Sequence, residues 1–178
     1  GTSLNFSIPQ IYTVTAQDGS TKAYTVTVTE AILPNTFTWV NSAGGNRSVP
    51  ANWTNEESII VAPQAGGRAT YTLNFNKAGT YTATHNLNAG FLLNRLNLGG
   101  STVTLAGNSL AFTTNGATLP QLNQNSASGV TISAPLSLAA NVTLGGSGGG
   151  SVTISGGIAS TGSLTKNNSG TLTLSGAS

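Results

Sequence analysis

Charge is what this chain of 178 residues has least of. Lys and Arg number 6, Asp and Glu 4, and there is 1 His, so charged residues make up 6% of the chain against a usual ~25%. No basic patch exists to neutralise a run of phosphates, which argues against nucleic acid as a partner. Cysteine is absent, which excludes a disulfide framework, thiolate chemistry and thiolate-bound metal. Methionine is also absent, so the chain does not begin at a translation start and is expected to be a mature or excised piece. No apolar run approaches the roughly 18 residues of a membrane span, so membrane insertion is not expected. Convincing helical periodicity is missing throughout.

Uncharged polar residues fill the space left. Ser, Thr, Asn and Gly supply about half of the chain, with Val, Ile and Leu recurring between Gly and Asn turns. Disordered chains are instead charged and rich in Pro, Glu and Lys. The pattern predicts an all-β protein with uncharged polar faces.

Residues 1–33 read as one organisational unit and 34–178 as another. Ile11–Ala16 and Ala23–Glu30 alternate with period two around Asp18-Gly19, which predicts a hairpin. Tyr12, Val14, Tyr24, Val26 and Val28 fall on alternate positions and are the candidate assembly strands. Pro34 restricts Leu33 to extended geometry and suits a linker.

From Thr70 onward short strands follow at spacings of about 6–12 residues, and three of them would close one coil of about 20–25 residues. Expected strands are 70–75, 80–84, 92–98, 102–105, 110–113, 119–122, 130–133, 136–138, 142–144, 151–155 and 170–174. Val130, Ile132, Val142, Leu144, Val152, Ile154, Leu172 and Leu174 should face inward. The glycine-rich stretch 145–150 is expected to bulge from one corner. Trp39 and the pair Asn52-Trp53 precede the repeats. Their bland role is a cap over the open end of the core, and their functional one a sugar-stacking platform.

Leu164-Thr165-Lys166-Asn167-Asn168-Ser169-Gly170-Thr171-Leu172-Thr173-Leu174-Ser175-Gly176-Ala177 resembles the core of the autotransporter-associated β-strand repeat. The Trp39 and Asn52-Trp53 pattern resembles the opening of the same proteins, so the resemblance covers about 36–178. Residues 12–30 are similar to the closing hairpin of bacterial immunoglobulin-like or cadherin-like surface domains. Together these resemblances imply a right-handed parallel β-helix preceded by a partial immunoglobulin-like hairpin, in a secreted or cell-surface bacterial protein.

Few residues could carry catalysis. The acids are Asp18, Glu30, Glu56 and Glu57. Polysaccharide hydrolysis needs two convergent carboxylates, and adjacent residues on a strand face opposite ways. Asp18 suits a turn, and replacing Glu56 and Glu57 by Gln is expected to change little but charge. His85 lacks a second His or a Cys and reads as a surface residue on a Thr-rich strand. Arg47, Arg68, Lys77, Arg95 and Lys166 are scattered and read as solvated. No catalytic residue, metal site or cofactor is expected, and an enzyme is disfavoured.

Thr-x-Thr recurs at 70–72, 80–84, 102–104 and 171–173. Aligned in rungs, such pairs would form a hydroxyl array of the kind ice-binding solenoids use. Their spacing is irregular, however, and Thr is an ordinary strand residue for a solvent face. The expected function is a structural segment of a bacterial extracellular fibre, stalk or adhesin, assembling head to tail with copies of itself or with adjoining repeats. A carbohydrate-binding adhesin is the alternative, with a glycan as partner through Trp39, Trp53, Tyr71, Phe75 or Tyr81.

Overall fold

Alternation of apolar and polar residues puts one side of a strand inward and the other outward. The computed structural model describes residues 9–27 and 33–176, and the chain divides after Leu33 into two units. In the first unit Gln10–Thr15 pairs antiparallel with Thr21–Val26, with Tyr12 opposite Tyr24. Gly19 takes φ +84° in the turn, and Asp18 Oδ1 accepts from the Ser20 N–H at 2.9 Å and hydroxyl at 2.7 Å. Those two bonds hold the carboxyl of Asp18 below its ordinary pKa, so its role is to fasten the turn.

The second unit is a parallel β-solenoid of about five turns with three sheets. The first sheet stacks Thr36–Trp39, Thr72–Phe75, Arg95–Leu98, Gln121–Gln124, Val142–Gly145 and Leu164–Lys166 in parallel. The second stacks Gly45–Asn46, Tyr81–His85, Val103–Gly107, Val130–Ile132, Val152–Ile154 and Leu172–Leu174. The third stacks Phe91–Leu93, Leu110–Phe112, Leu136–Leu138 and Ile158–Ser160. One antiparallel strand, Trp53–Asn55, lies outside Thr36–Trp39 and ends the first sheet.

Inward residues stack on their counterparts one coil away. Tyr81, Val103, Val130 and Val152 form one buried ladder; Leu73, Leu96, Leu122 and Leu144 form another. Outward on the first sheet, Asn97 donates to Asn74 at 2.8 Å and Asn123 to Asn97 at 2.9 Å, so each amide saturates the next. Parallel register thus turns one uncharged polar residue per coil into a continuous chain of hydrogen bonds.

Several expectations need correction. The expected single strand 92–98 is two strands, separated at Asn94. Asn94 is buried, and its amide donates to the carbonyls of Thr113 and Thr118 at 2.9 and 3.1 Å, which fixes a corner. Two further strands, Ile158–Ser160 and Leu164–Lys166, form where none was expected. The stretch 145–150 does not bulge. Gly148 N–H donates to Gln124 and Gly150 N–H to Ser126 at 2.9 and 3.0 Å, which ties the corner to the coil beneath. Leu174 was expected inside but is 56% exposed, and Leu172 is half-buried. Their register is nonetheless inward, because Leu172 pairs with Val152 and Leu174 with Ile154. Exposure here reflects the absence of a covering coil among the described residues.

Candidate interaction surfaces

The hairpin presents apolar side chains on both faces. Tyr12, Val14, Tyr24 and Val26 share one face in the observed register, with Ile11 on the other. All five are exposed, Ile11 to 70% and Val14 to 57%. Lys22 sits over the Tyr24 ring at 5.4 Å. Val28 and Glu30, named with these strands and acids from sequence, lie outside the described residues.

At the start of the solenoid an aromatic cluster fills the core. Trp39 and Trp53 oppose one another across the antiparallel pair, edge to face at 5.1 Å, and both are buried. Trp39 also stacks on Tyr81, and Trp53 meets Phe75 edge-on. Each indole N–H is satisfied: Trp39 donates to Asn41 O at 2.6 Å and Trp53 to Arg47 O at 2.9 Å. Asn52, the partner of Trp53 in the motif, donates to Asn46 O and accepts from Asn41, holding the loop between the two strands. Tyr71 and Phe75 are buried as well, so the aromatic groups proposed as a sugar platform all point into the core.

Arg47 was expected to be solvated and is instead buried, as is His85. The Arg47 guanidinium lies 4.9 Å from the centre of Phe91 and 5.6 Å from that of Trp53, and among the described residues no carboxylate pairs with it. Its Nε and Nη2 have no hydrogen-bond partner. Burial pulls its pKa down to about 9, which still leaves it charged at neutral pH. The cation is held by ring faces in place of water, which recover part of the desolvation cost.

His85 packs edge-on to Phe91, and its Nε2–H donates to Asn88 O at 3.2 Å, leaving Nδ1 without a partner. Burial, and secondarily the Arg47 charge, lower its pKa to about 4 from an ordinary 6.5; the bond to Asn88 opposes them. In the unfolded chain His85 takes up a proton near pH 6.5, whereas in the fold it resists one until about pH 4. Stability is therefore full above the unfolded-state value and falls as pH drops towards the folded-state value, by about 3 kcal/mol in all at ~1.4 kcal/mol per unit. Urea unfolding across that window, compared with His85→Gln, checks this. The variant should lose distinctly less stability on acidification, and equal losses would place the acid sensitivity elsewhere.

Glu56 accepts from the backbone N–H groups of Asn35 at 2.8 Å and Thr36 at 3.1 Å, tying down the start of the first solenoid strand. Burial works to raise its pKa, but these bonds and its own N–H outweigh that effect and leave it lowered. Glu56 is therefore an anchor, not the indifferent surface acid expected from sequence, and Glu57 does not share that role. Among the described residues no three His, Cys, Asp or Glu side chains gather to hold a metal ion.

The far end is more open. Ile154, Ile158 and Leu174, with Gly156 and Gly176, line a hollow of about 130 Å³. Lys166 takes the ladder position of Leu144, and its ammonium donates to Asn168 O at 2.6 Å. A charge thus stands at an inward position where the four coils beneath have leucine and the first has Phe37.

These features define a parallel β-solenoid with an aromatic-filled first coil, and a separate antiparallel ribbon unit. No protein-family model, curated protein or solved structure matches the chain.

Proposed function

We propose that this chain is a non-catalytic structural module of a bacterial extracellular fibre, stalk or adhesin, and that it assembles head to tail by strand addition. The observation that carries the reading is the ribbon Gln10–Thr15 and Thr21–Val26, whose apolar residues are exposed on both faces. Among the described residues this sheet has two strands; two strands alone are marginal in water, and sheet edges accept further strands. A second copy, or an adjoining repeat of a longer chain, supplies further strands by β-augmentation. Head-to-tail contacts that do not close into rings propagate as filaments. The resemblance of 164–177 to autotransporter-associated repeats, and of 12–30 to surface-domain hairpins, supports a secreted or cell-surface setting. The glycan-binding alternative is weakened because Trp39 and Trp53 are buried.

Deleting residues 1–33 tests the mechanism. The intact chain should form elongated assemblies in light scattering and electron microscopy, and the deletion should remain monomeric. A strictly monomeric intact chain at high concentration, or a deletion that polymerises equally well, overturns strand donation.

A further inference from the structure

The outer face of the second sheet carries a column that is threonine in five consecutive coils, starting above the Gly45–Asn46 strand. Thr82 pairs with Thr104, Thr104 with Thr131, Thr131 with Thr153, and Thr153 with Thr173. Their neighbours along each strand are core residues, so all five point outward, and all are at least partly exposed. The positions two residues away on either side of this column hold only Thr, Ser, Gly and Ala. The irregular spacing that weighed against such an array has a simple origin. Along this sheet the pairing of Tyr81 with Val103, Val103 with Val130, Val130 with Val152 and Val152 with Leu172 gives coils of 22, 27, 22 and 20 residues (103 − 81, 130 − 103, 152 − 130, 172 − 152). Corner loops absorb the differences, and the threonines stay aligned.

These hydroxyls differ from the amides on the first sheet. Asn74, Asn97 and Asn123 bond to one another, whereas among the described residues no hydrogen bond uses the hydroxyl of any of the five threonines. Each is left to bond outward. Neighbouring strands place them about 4.8 Å apart along the column, and alternate residues stand about 6.7 Å apart along a strand. Water oxygens on a prism face of hexagonal ice repeat at similar intervals in two perpendicular directions. The face bears no ionisable group, so no tightly held hydration shell breaks the pattern, and its charge matches an uncharged lattice. Threonine also contributes a methyl group beside each hydroxyl, and the parallel ladder holds every side chain on a backbone already ordered. A polysaccharide surface would instead be gripped by exposed aromatic rings, and every aromatic residue of the solenoid is buried.

We infer that the threonine face of the second sheet binds ice. The test is ice-crystal shaping and thermal hysteresis with the intact 178-residue chain. Ice should become faceted, and growth should stop within a measurable gap below the melting point. Thr131→Tyr and Thr104→Tyr, which break the column with bulk, should lose most of that gap while circular dichroism and melting of the protein stay unchanged. Thr143→Tyr, on the outer face of the first sheet, should keep it. Should a tyrosine variant fail to fold, Thr153→Lys on the same exposed column reads the same loss. No shaping by the intact chain, or an equal loss in Thr143→Tyr, overturns the inference. Retention on chitin or cellulose that Thr131→Tyr abolishes, without ice shaping, overturns it in favour of a polysaccharide.

Discussion

Trp39→Ala should cost about 3–5 kcal/mol of unfolding free energy, the range for deleting a large buried aromatic side chain. Trp39 is 1% exposed and touches Trp53, Phe75 and Tyr81, so its removal opens a void shared by these three side chains. It also leaves Asn41 O without its indole donor. In a solenoid each coil is stabilised chiefly by its neighbours, so a void in the first coil also loosens the next. Trp39→Phe keeps most of the packing and loses the N–H, and should cost nearer 1–2 kcal/mol. Denaturant unfolding of both variants checks the order. A loss below ~1 kcal/mol for the alanine variant would show that the void collapses and that the tryptophan is not a structural plug.

Gly146→Ala should be comparably severe, at about 3 kcal/mol or more, combining left-handed backbone strain with a steric clash. Gly146 has φ +99°, and a Cβ there would lie 2.2 Å from Gln124 O and 2.6 Å from Gln124 N. The backbone cannot easily retreat, because Gly148 is already bonded to the same Gln124 carbonyl at 2.9 Å. Gly116→Ala is the matched control. Its φ is +55°, but no atom lies within 4 Å of the added carbon, so only the conformational cost of ~1 kcal/mol applies. Equal losses in the two variants would mean that contact between coils does not dictate the glycine.

The contrast between those glycines shows where local reading stops. Both look like turn residues in sequence, and only stacking separates the one that the neighbouring coil presses upon. The same division runs through the fold. Period-two alternation was enough to assign Val130, Ile132, Val142, Leu144, Val152 and Ile154 to the interior, because facing is a property of one strand alone. The Asp18-Gly19 hairpin was legible for the same reason, since the turn chemistry and both strands lie within a few residues. Arg47 and His85 were misplaced because no local pattern marks them. Arg47 follows a two-residue strand, Gly45–Asn46, and its burial depends on Trp53 and Phe91 arriving from other elements.

What the sequence by itself determined is the all-β class, the solenoid, the inward residues of the strands from Val130 to Ile154 and the uncharged character of its faces. Only the tertiary structure decided which residues meet from coil to coil. That matching depends on corner lengths, and these vary without disturbing the ladder hydrogen bonds. A threonine's partner is therefore set by closure of the coil and not by any fixed interval along the chain. For this reason the column from Thr82 to Thr173 becomes visible only once the strands are stacked.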